Sequence, residues 1–390
     1  MVEGRSDNAP RPIRLGMVGG GEGAFIGAVH RMAARLDGHY QLVAGALSST
    51  PDKALRSAAA LGLEPARCYP DFAAMARAEK RRSDGIEAVA IVTPNHMHAP
   101  VALAFLKAGI HVICDKPLTR TLAEARRLQK AAEASGKVFC LTHNYTGYPM
   151  VRQARAMVQA GEIGTIRLVQ VEYPQDWLTT DLEATGQKQA DWRTDPARSG
   201  AGGCIGDIGT HAYNLADFIT GLELSALCAD LTTFVPGRRV DDNAQILLRY
   251  KGGARGLLWA SQVAPGNENA LKIRVYGTKG GLEWRQEHPN QLIFSPFGEA
   301  PRILSRGTGS AGPAAARVTR IPGGHPEGYL EAFATLYSEA ALAIRAANAG
   351  QPCPAEVLFP TLTDGVKGVA FIAAAVRSSR AGARWVVPAA

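Results

Sequence analysis

Apolar and polar positions change their rhythm part-way along the chain. In the first 145 residues, strand-type and helix-type segments alternate. Ile13, Leu15 and Met17 alternate as in a strand, and the run 28–36 after them has helical character. Residues 40–47 read as a second strand, 53–62 as a helix, and another helix ends near Arg81. Buried-type strands recur at 85–92, 110–114 and 138–141, with helices at 101–108 and 122–135 between them. This alternation predicts α/β architecture: a doubly wound parallel sheet of the Rossmann type.

Beyond about residue 146 the period changes. A helix at 151–161 is followed by period-two segments at 166–173, 227–235, 244–250, 256–263, 271–276 and 281–285. Lys251-Gly252-Gly253-Ala254 and Gly277-Thr278-Lys279-Gly280 read as hairpin turns. The expectation is an α+β unit: an open, mostly antiparallel sheet with helices on one face. Residues 299–318, rich in Gly, Ala, Ser and Pro, read as a mobile loop. Helices at about 327–348 and 361–379 finish the chain and are free to pack back on the first unit. The expected domains are 1–145 and 146–390.

Composition narrows the class. A chain of 390 residues favours two domains, and 46% hydrophobic content argues against disorder. No apolar run approaches the roughly 20 residues of a membrane helix. The first dozen residues are polar and read as a frayed tail, not a signal peptide. Six scattered cysteines without a CxxC or metal-ligand spacing read as free thiols, so a cytoplasmic protein without a metal is expected. The net charge is +8, but Lys and Arg are interspersed with acids, which speaks against nucleic acid and suits an anionic cofactor or substrate.

The chemistry begins with the glycine run 16–27. Gly19 and Gly21 supply the first two glycines of a phosphate-binding turn, and Gly27 comes later than the plain G-x-G-x-x-G pattern places it. A strand, a glycine turn and a helix start carrying Phe25 and Ile26 can cradle a pyrophosphate; the same run can also be a tight turn without a ligand. The second strand ends in Ser48 and Ser49 where an acid would hold a ribose 2′-OH; Lys53 is nearby, and the neighbouring Asp52 reads as lying inside the turn. This leans to NADP over NAD, although the two serines can equally cap the next helix. Thr93, Pro94, Asn95 and His98 follow a strand, where cofactor contacts gather, as do Asp115 and Lys116. Further on, Asp207, His211 and Asn214 lie at helical spacing beside an apolar stripe of Ile208, Ala212, Leu215 and Ile219. Tyr145, Trp192 and Arg193 are candidates to stack on or hydrogen-bond a substrate.

Together these motifs resemble the Gfo/Idh/MocA oxidoreductase family. The matching features are Gly27-x-x-His30, Thr93-Pro94-Asn95 with His98, Asp115-Lys116-Pro117 for its EKP, and Gly161-Glu162-Ile163-Gly164. To these add Asp207-x-Gly209-x-His211-x-x-Asn214, with Asn where the family has Asp, and Tyr276-Gly277-Thr278-Lys279-Gly280. The resemblance implies an NAD or NADP cofactor and hydride transfer at a secondary alcohol of a sugar, glycoside or cyclitol. It also implies assembly through the open sheet as a homodimer or homotetramer. Carried over by position, Lys116, Asp207 and His211 are the catalytic residues. His211 would take the hydroxyl proton, Lys116 would stabilise developing alkoxide, and Asp207 would hold the imidazole or raise its basicity. Two other functions use the same residues. One is an NAD-dependent glycosidase, with Tyr145 or His143 as an additional base; the other is a non-catalytic NADP-bound sensor.

Overall fold

The computed structural model describes residues 10–389, so most of the polar tail lies outside the described residues. Strands β1 (Ile13–Gly19), β2 (Tyr40–Ala46), β3 (Ala88–Val92), β4 (His111–Cys114) and β5 (Phe139–Leu141) form one parallel sheet in the order β2-β1-β3-β4-β5. Every residue of β3, β4 and β5 is buried. That is the signature of a sheet covered on both faces, and it is why these strands read as unbroken apolar runs. One face packs Leu15, Met17, Ala90 and Ile113 against Val29 and Ala33 of the helix Phe25–Leu36. The other packs Val89, Ile91 and Val112 against Val101, Phe105 and Leu128. The first helix starts at Phe25, three residues earlier than its apolar pattern shows, which brings its N-terminus directly after the glycine turn.

The second sheet has eight strands: β6 (Ile166–Pro174), β7 (Leu224–Thr232), β8 (Asn243–Tyr250), β9 (Arg255–Ser261), β10 (Lys272–Gly277), β11 (Gly280–Arg285), β12 (Gln291–Pro296) and β13 (Arg302–Ser305). Their order is β13-β12-β11-β10-β6-β9-β8-β7. All neighbours are antiparallel except β6 and β9. Along β8, Ala244, Ile246 and Leu248 are buried while Gln245, Leu247 and Arg249 are exposed, so one face carries the core and the other is open. The covered face packs on the helices Pro149–Gln159 and Thr210–Thr220.

Two expectations need correction. Residues 299–318 are not simply a loop: they contain β13 and the short helix Pro313–Ala316. Arg306, fully buried within them, donates to Asn290 Oδ1 at 2.6 Å, to Ile321 O at 2.7 Å and to Glu327 Oε1 at 3.0 Å. Glycine-rich composition hid these partners, which are far away in sequence. The strand read at 227–235 is Leu224–Thr232, because the chain leaves the sheet before Thr233.

The late helices tie the two sheets together. The helix Tyr329–Asn348 packs on the first unit: His30 Nδ1, in the helix Phe25–Leu36, meets Tyr337 Oη at 2.8 Å, and Tyr40 Oη of β2 donates to Tyr337 O at 2.9 Å. Its Glu339 is fully buried, ion-paired to Arg152 at 2.8 Å and to Arg317, and it accepts from Leu358 N at 2.9 Å. Removing one partner of a buried pair strands the other charge, which costs on the order of 3 kcal/mol. Glu339→Gln is therefore expected to lower Tm by roughly 5–10 °C in a thermal melt. Glu299→Gln, which loses only the exposed pair with Arg302, should shift Tm by no more than about 1 °C.

Candidate active site

The glycine turn is built by close approach. Gly19 and Gly20 have φ of 79° and 73°. A Cβ on Gly27 would stand 2.4 Å from Gly20 Cα, and one on Gly21 would stand 2.7 Å from Leu47 O. The turn therefore fits only without side chains, and it seats the helix start against the end of β2. The N-cap, Ala24, offers no side-chain acceptor, so the first N–H groups of the helix are available to an anion.

A cavity of about 710 Å3 opens over this turn. Gly19, Gly21, Phe25, Ile26, Ser48, Ser49, Lys53, Thr93, Pro94, Asn95, Asp115 and Lys116 all line it. A second cavity, of about 520 Å3, shares Phe25, Ile26, Asp115, Lys116, Gln189, Arg193 and Asp207 with the first. The two meet over Lys116 and Asp207. Tyr145 and His211 line the second cavity, whereas Trp192 lines the first. Asn214 is buried in the helix Thr210–Thr220 and lines neither. His98 also lines neither: its ring sits between the two strand-end loops, with Nδ1 2.8 Å from Pro117 O and Nε2 2.9 Å from Thr93 O, and its N–H donates to one of these carbonyls. Asn95 lines the first cavity but spends its amide on Ser199 O at 2.8 Å.

Lys116 stands just after β4, before a cis Lys116–Pro117 peptide. Its ammonium donates to Asp207 O at 2.6 Å and to Asp207 Oδ1 at 2.8 Å. Asp207 Oδ2 accepts from Gln262 Nε2 at 2.9 Å and from Arg193 Nε at 3.2 Å. Burial opposes the carboxylate, but Lys116 and Arg193 outweigh it and hold Asp207 far below the usual acid range.

Asp207 does not hold His211, contrary to the sequence-based expectation. The chain forms a π-helical turn at Ile205–Gly209 and becomes α-helical only from Thr210. The single polar ridge expected of one α-helix is thus broken, and Asp207 turns to Lys116. The turn is fixed by Asp241, whose carboxylate accepts from Gly203 N and Ile205 N, both at 2.8 Å. The neighbour of His211 is His143. Their Nδ1 atoms are 3.5 Å apart and their rings are nearly perpendicular, at 87°. Burial first, then Lys116 and His143, push the His211 imidazole well below its ordinary value.

Apart from Asp115, the rest of the second cavity is neutral. Tyr173 Oη donates to Asn269 Oδ1 at 2.7 Å and is hydrogen-bonded to Tyr145 Oη. Gln175 Nε2 donates to the same Asn269 oxygen at 2.7 Å, and Asn269 Nδ2 donates to Gln286 Oε1 at 2.9 Å. Asn144 also lines this cavity, buried, with its amide nitrogen unpartnered. Sequence reasoning missed Asn144, Gln262 and Asn269. Asn144 and Gln262 stand just beyond strand ends, a position that could have marked them; Asn269 gives no such signal.

The family described as "Oxidoreductase family, NAD-binding Rossmann fold" matches residues 13–143, and the "GFO/IDH/MocA C-terminal domain" matches 151–283. The oxidoreductase YfiI of Bacillus subtilis is 36% identical over 380 residues, covering 96% of this chain and 97% of the relative. The chain belongs to the Gfo/Idh/MocA oxidoreductase family. Among solved members, an oxidoreductase from Sinorhizobium meliloti is 59% identical with a TM-score of 0.88, covering 97% of this chain and 100% of the other. An inositol dehydrogenase homolog from Azotobacter vinelandii, complexed with NADH and myo-inositol, is 39% identical with a TM-score of 0.91, covering 97% and 98%. The first sheet of this family member is thus an NAD-binding Rossmann domain. Its Ser48, on which the sequence leaned to NADP, accepts from Thr50 N at 3.1 Å and so serves the turn before the helix Pro51–Ala60. No helix among the described residues is long and apolar enough to cross a membrane.

Two buried histidines set an acid limit on stability. Burial, chiefly, lowers His30 to about 4 and His143 to about 3, from 6.5. Between those values and 6.5 the unfolded chain binds more protons than the folded one. Each group then removes ~1.4 kcal/mol of stability per pH unit as pH falls, and nothing above neutrality. Tm measured by differential scanning fluorimetry should fall steadily from pH 6.5 to 4.5. A flat curve over that range would mean that both rings reach solvent.

Proposed function

We propose that this protein oxidises a secondary alcohol of a neutral sugar or cyclitol, with NAD as hydride acceptor. The observation that carries the reading is the meeting of the two cavities over Lys116, with His211 lining the substrate side. Residues 1–145 then bind the dinucleotide, and 146–390 supply the substrate site. The backbone of the glycine turn and the start of the helix Phe25–Leu36 would hold the pyrophosphate, with Ser49 and Lys53 further along the cleft. When bound, NAD supplies the electron sink, so that alcohol and NAD+ become ketone, NADH and a proton. Taking that proton falls to the protein. An ammonium has three donors, and two of Lys116's are on Asp207. The third is free for the substrate oxygen, where it stabilises developing alkoxide. Asp207 is saturated and strongly acidic, so it makes a poor base. His211, a neutral imidazole, accepts the hydroxyl proton.

Charge supports the neutral substrate. The cations of the second cavity, Lys116 and Arg193, are both committed to Asp207, and the remaining polar lining consists chiefly of amides and phenols. With Asp115 also on the wall, the two cations are matched by two acidic side chains, so a phosphate or carboxylate would find no net positive charge there. The Azotobacter relative with bound NADH and myo-inositol fits the same class. Burial, chiefly, raises the Tyr145 phenol, which leaves it a poor additional base and favours net oxidation over glycoside cleavage.

The open face of the second sheet supports self-association. Leu168 and Tyr276 are register partners, as are Leu247 and Leu257, and all four are exposed. We assign this face to the homo-oligomer contact. Leu247→Glu with Leu257→Glu should reduce the mass measured by light scattering to that of one chain. A wild-type mass of one chain would remove this assignment.

The activity is tested with a panel of neutral sugars and cyclitols beside their phosphates, with NAD and NADP, monitoring reduced nicotinamide. Turnover of neutral polyols with NAD is expected, and Lys116→Ala should lower kcat by roughly 10²–10³-fold. Activity confined to phosphorylated sugars would contradict the charge argument.

A further inference from the structure

His143 has no part in the chemistry just described, yet it is the group that touches the imidazole. It follows β5 and is buried, and its Nδ1 faces Nδ1 of His211 at 3.5 Å. We propose that His143 is a positioning residue whose unprotonated Nδ1 accepts from His211 Nδ1–H, fixing the tautomer that leaves His211 Nε2 free to take the substrate proton. This rests on the dehydrogenase reading above.

Two facing Nδ1 atoms can share only one proton, so one ring donates and the other accepts. If His143 donated, His211 would carry its proton on Nε2 and could not act as a base there. Once His211 had gained a second proton, two N–H groups would also face each other. If His211 donates, the same contact survives both before and after proton uptake, because an imidazolium still bears Nδ1–H. No side chain other than His143 is hydrogen-bonded to His211 among the described residues, and Asp207, the obvious orienting carboxylate, is turned away. His143 keeps its accepting form because burial, together with the Lys116 charge, disfavours its protonation. The rings of Tyr145 and Tyr173 also pack on His211, with centroids 4.8 Å and 6.4 Å away. At 3.5 Å the contact is long, as catalytic hydrogen bonds often are before substrate binds.

Two measurements test this. In the 15N-histidine-labelled full chain at pH 8, long-range proton–nitrogen correlation should show His211 protonated at Nδ1 and bare at Nε2, and His143 bare at Nδ1. Comparison with His143→Asn and His211→Asn spectra assigns the signals. A proton on His211 Nε2 overturns the proposal, whatever the enzyme's activity. In kinetics on the best polyol, His143→Leu should lower kcat roughly tenfold with KM within about twofold. His143→Asn, whose Oδ1 can take the place of Nδ1 as acceptor, should recover most of the loss. Full kcat in His143→Leu overturns the proposal. Absence of polyol oxidation by the wild-type enzyme would defeat the dehydrogenase reading instead, and the spectra would still decide the tautomer.

Discussion

The Asp207 carboxylate has to be charged inside the protein, and the arrangement of the site follows from how that is done. A buried anion is tolerated only when both oxygens are paired. One oxygen takes the ammonium of Lys116, from the end of β4 in the first sheet. The other takes Gln262, just past β9 in the second sheet, and Arg193, from the segment 178–199 that crosses between the two cavities. Three separate parts of the chain thus converge on one carboxylate. The convergence sets where the cofactor cavity ends and the substrate cavity begins, because Lys116 and Asp207 line both.

The same saturation divides the chemical labour. A carboxylate with three donors on it, two of them cationic, has little basicity left, so it serves as an anchor and not as an acceptor of protons. Lys116 gains a fixed direction and keeps one donor free. His211, with no carboxylate behind it and with cationic Lys116 nearby, stays neutral near physiological pH. Spending the negative charge on the cations leaves an imidazole as the available base.

The sequence was most legible where a signal is local. The helix Leu122–Ser135 stands where its apolar period placed it, between Thr121 and Gly136, and Thr121 and Glu124 form a capping box. Lys116 could be singled out because a strand end in a parallel sheet aims side chains at the crevice. Legibility failed where partners are distant or geometry is irregular. Asp207 and His211 have α-helical spacing, but the π-turn between them depends on Asp241, more than thirty residues away, and on Gly203, where a Cβ would stand 2.2 Å from Asp241 O. Strand β13 hides in Gly- and Ser-rich surroundings and exists because Ile303 and Leu304 pair with Ile293 and Leu292. Asn269 became a hub only once Tyr173, Gln175 and Gln286 met around it, and no periodicity encodes that.

The crossing segment shows why the cofactor and substrate cavities form one site. Arg238 holds its start through Leu178 O at 3.0 Å, Thr180 O at 3.1 Å and Glu183, and is itself tied to Asp242. Its far end is held by the first sheet's loops, through Asn95 to Ser199 O and Arg120 to Ala197 O. Between these anchors, Gln189 and Arg193 line both cavities, and the Arg193 guanidinium lies 4.3 Å from the Trp192 ring centroid. Asn95, read from sequence as a cofactor contact, therefore does a second job: its amide fastens the second unit's strap to the rim of the dinucleotide cleft. Any displacement of that strap would move Arg193 off Asp207 and alter the field at Lys116. The strap and the carboxylate are in this sense a single mechanical element, held at both ends and loaded in the middle by one ion pair.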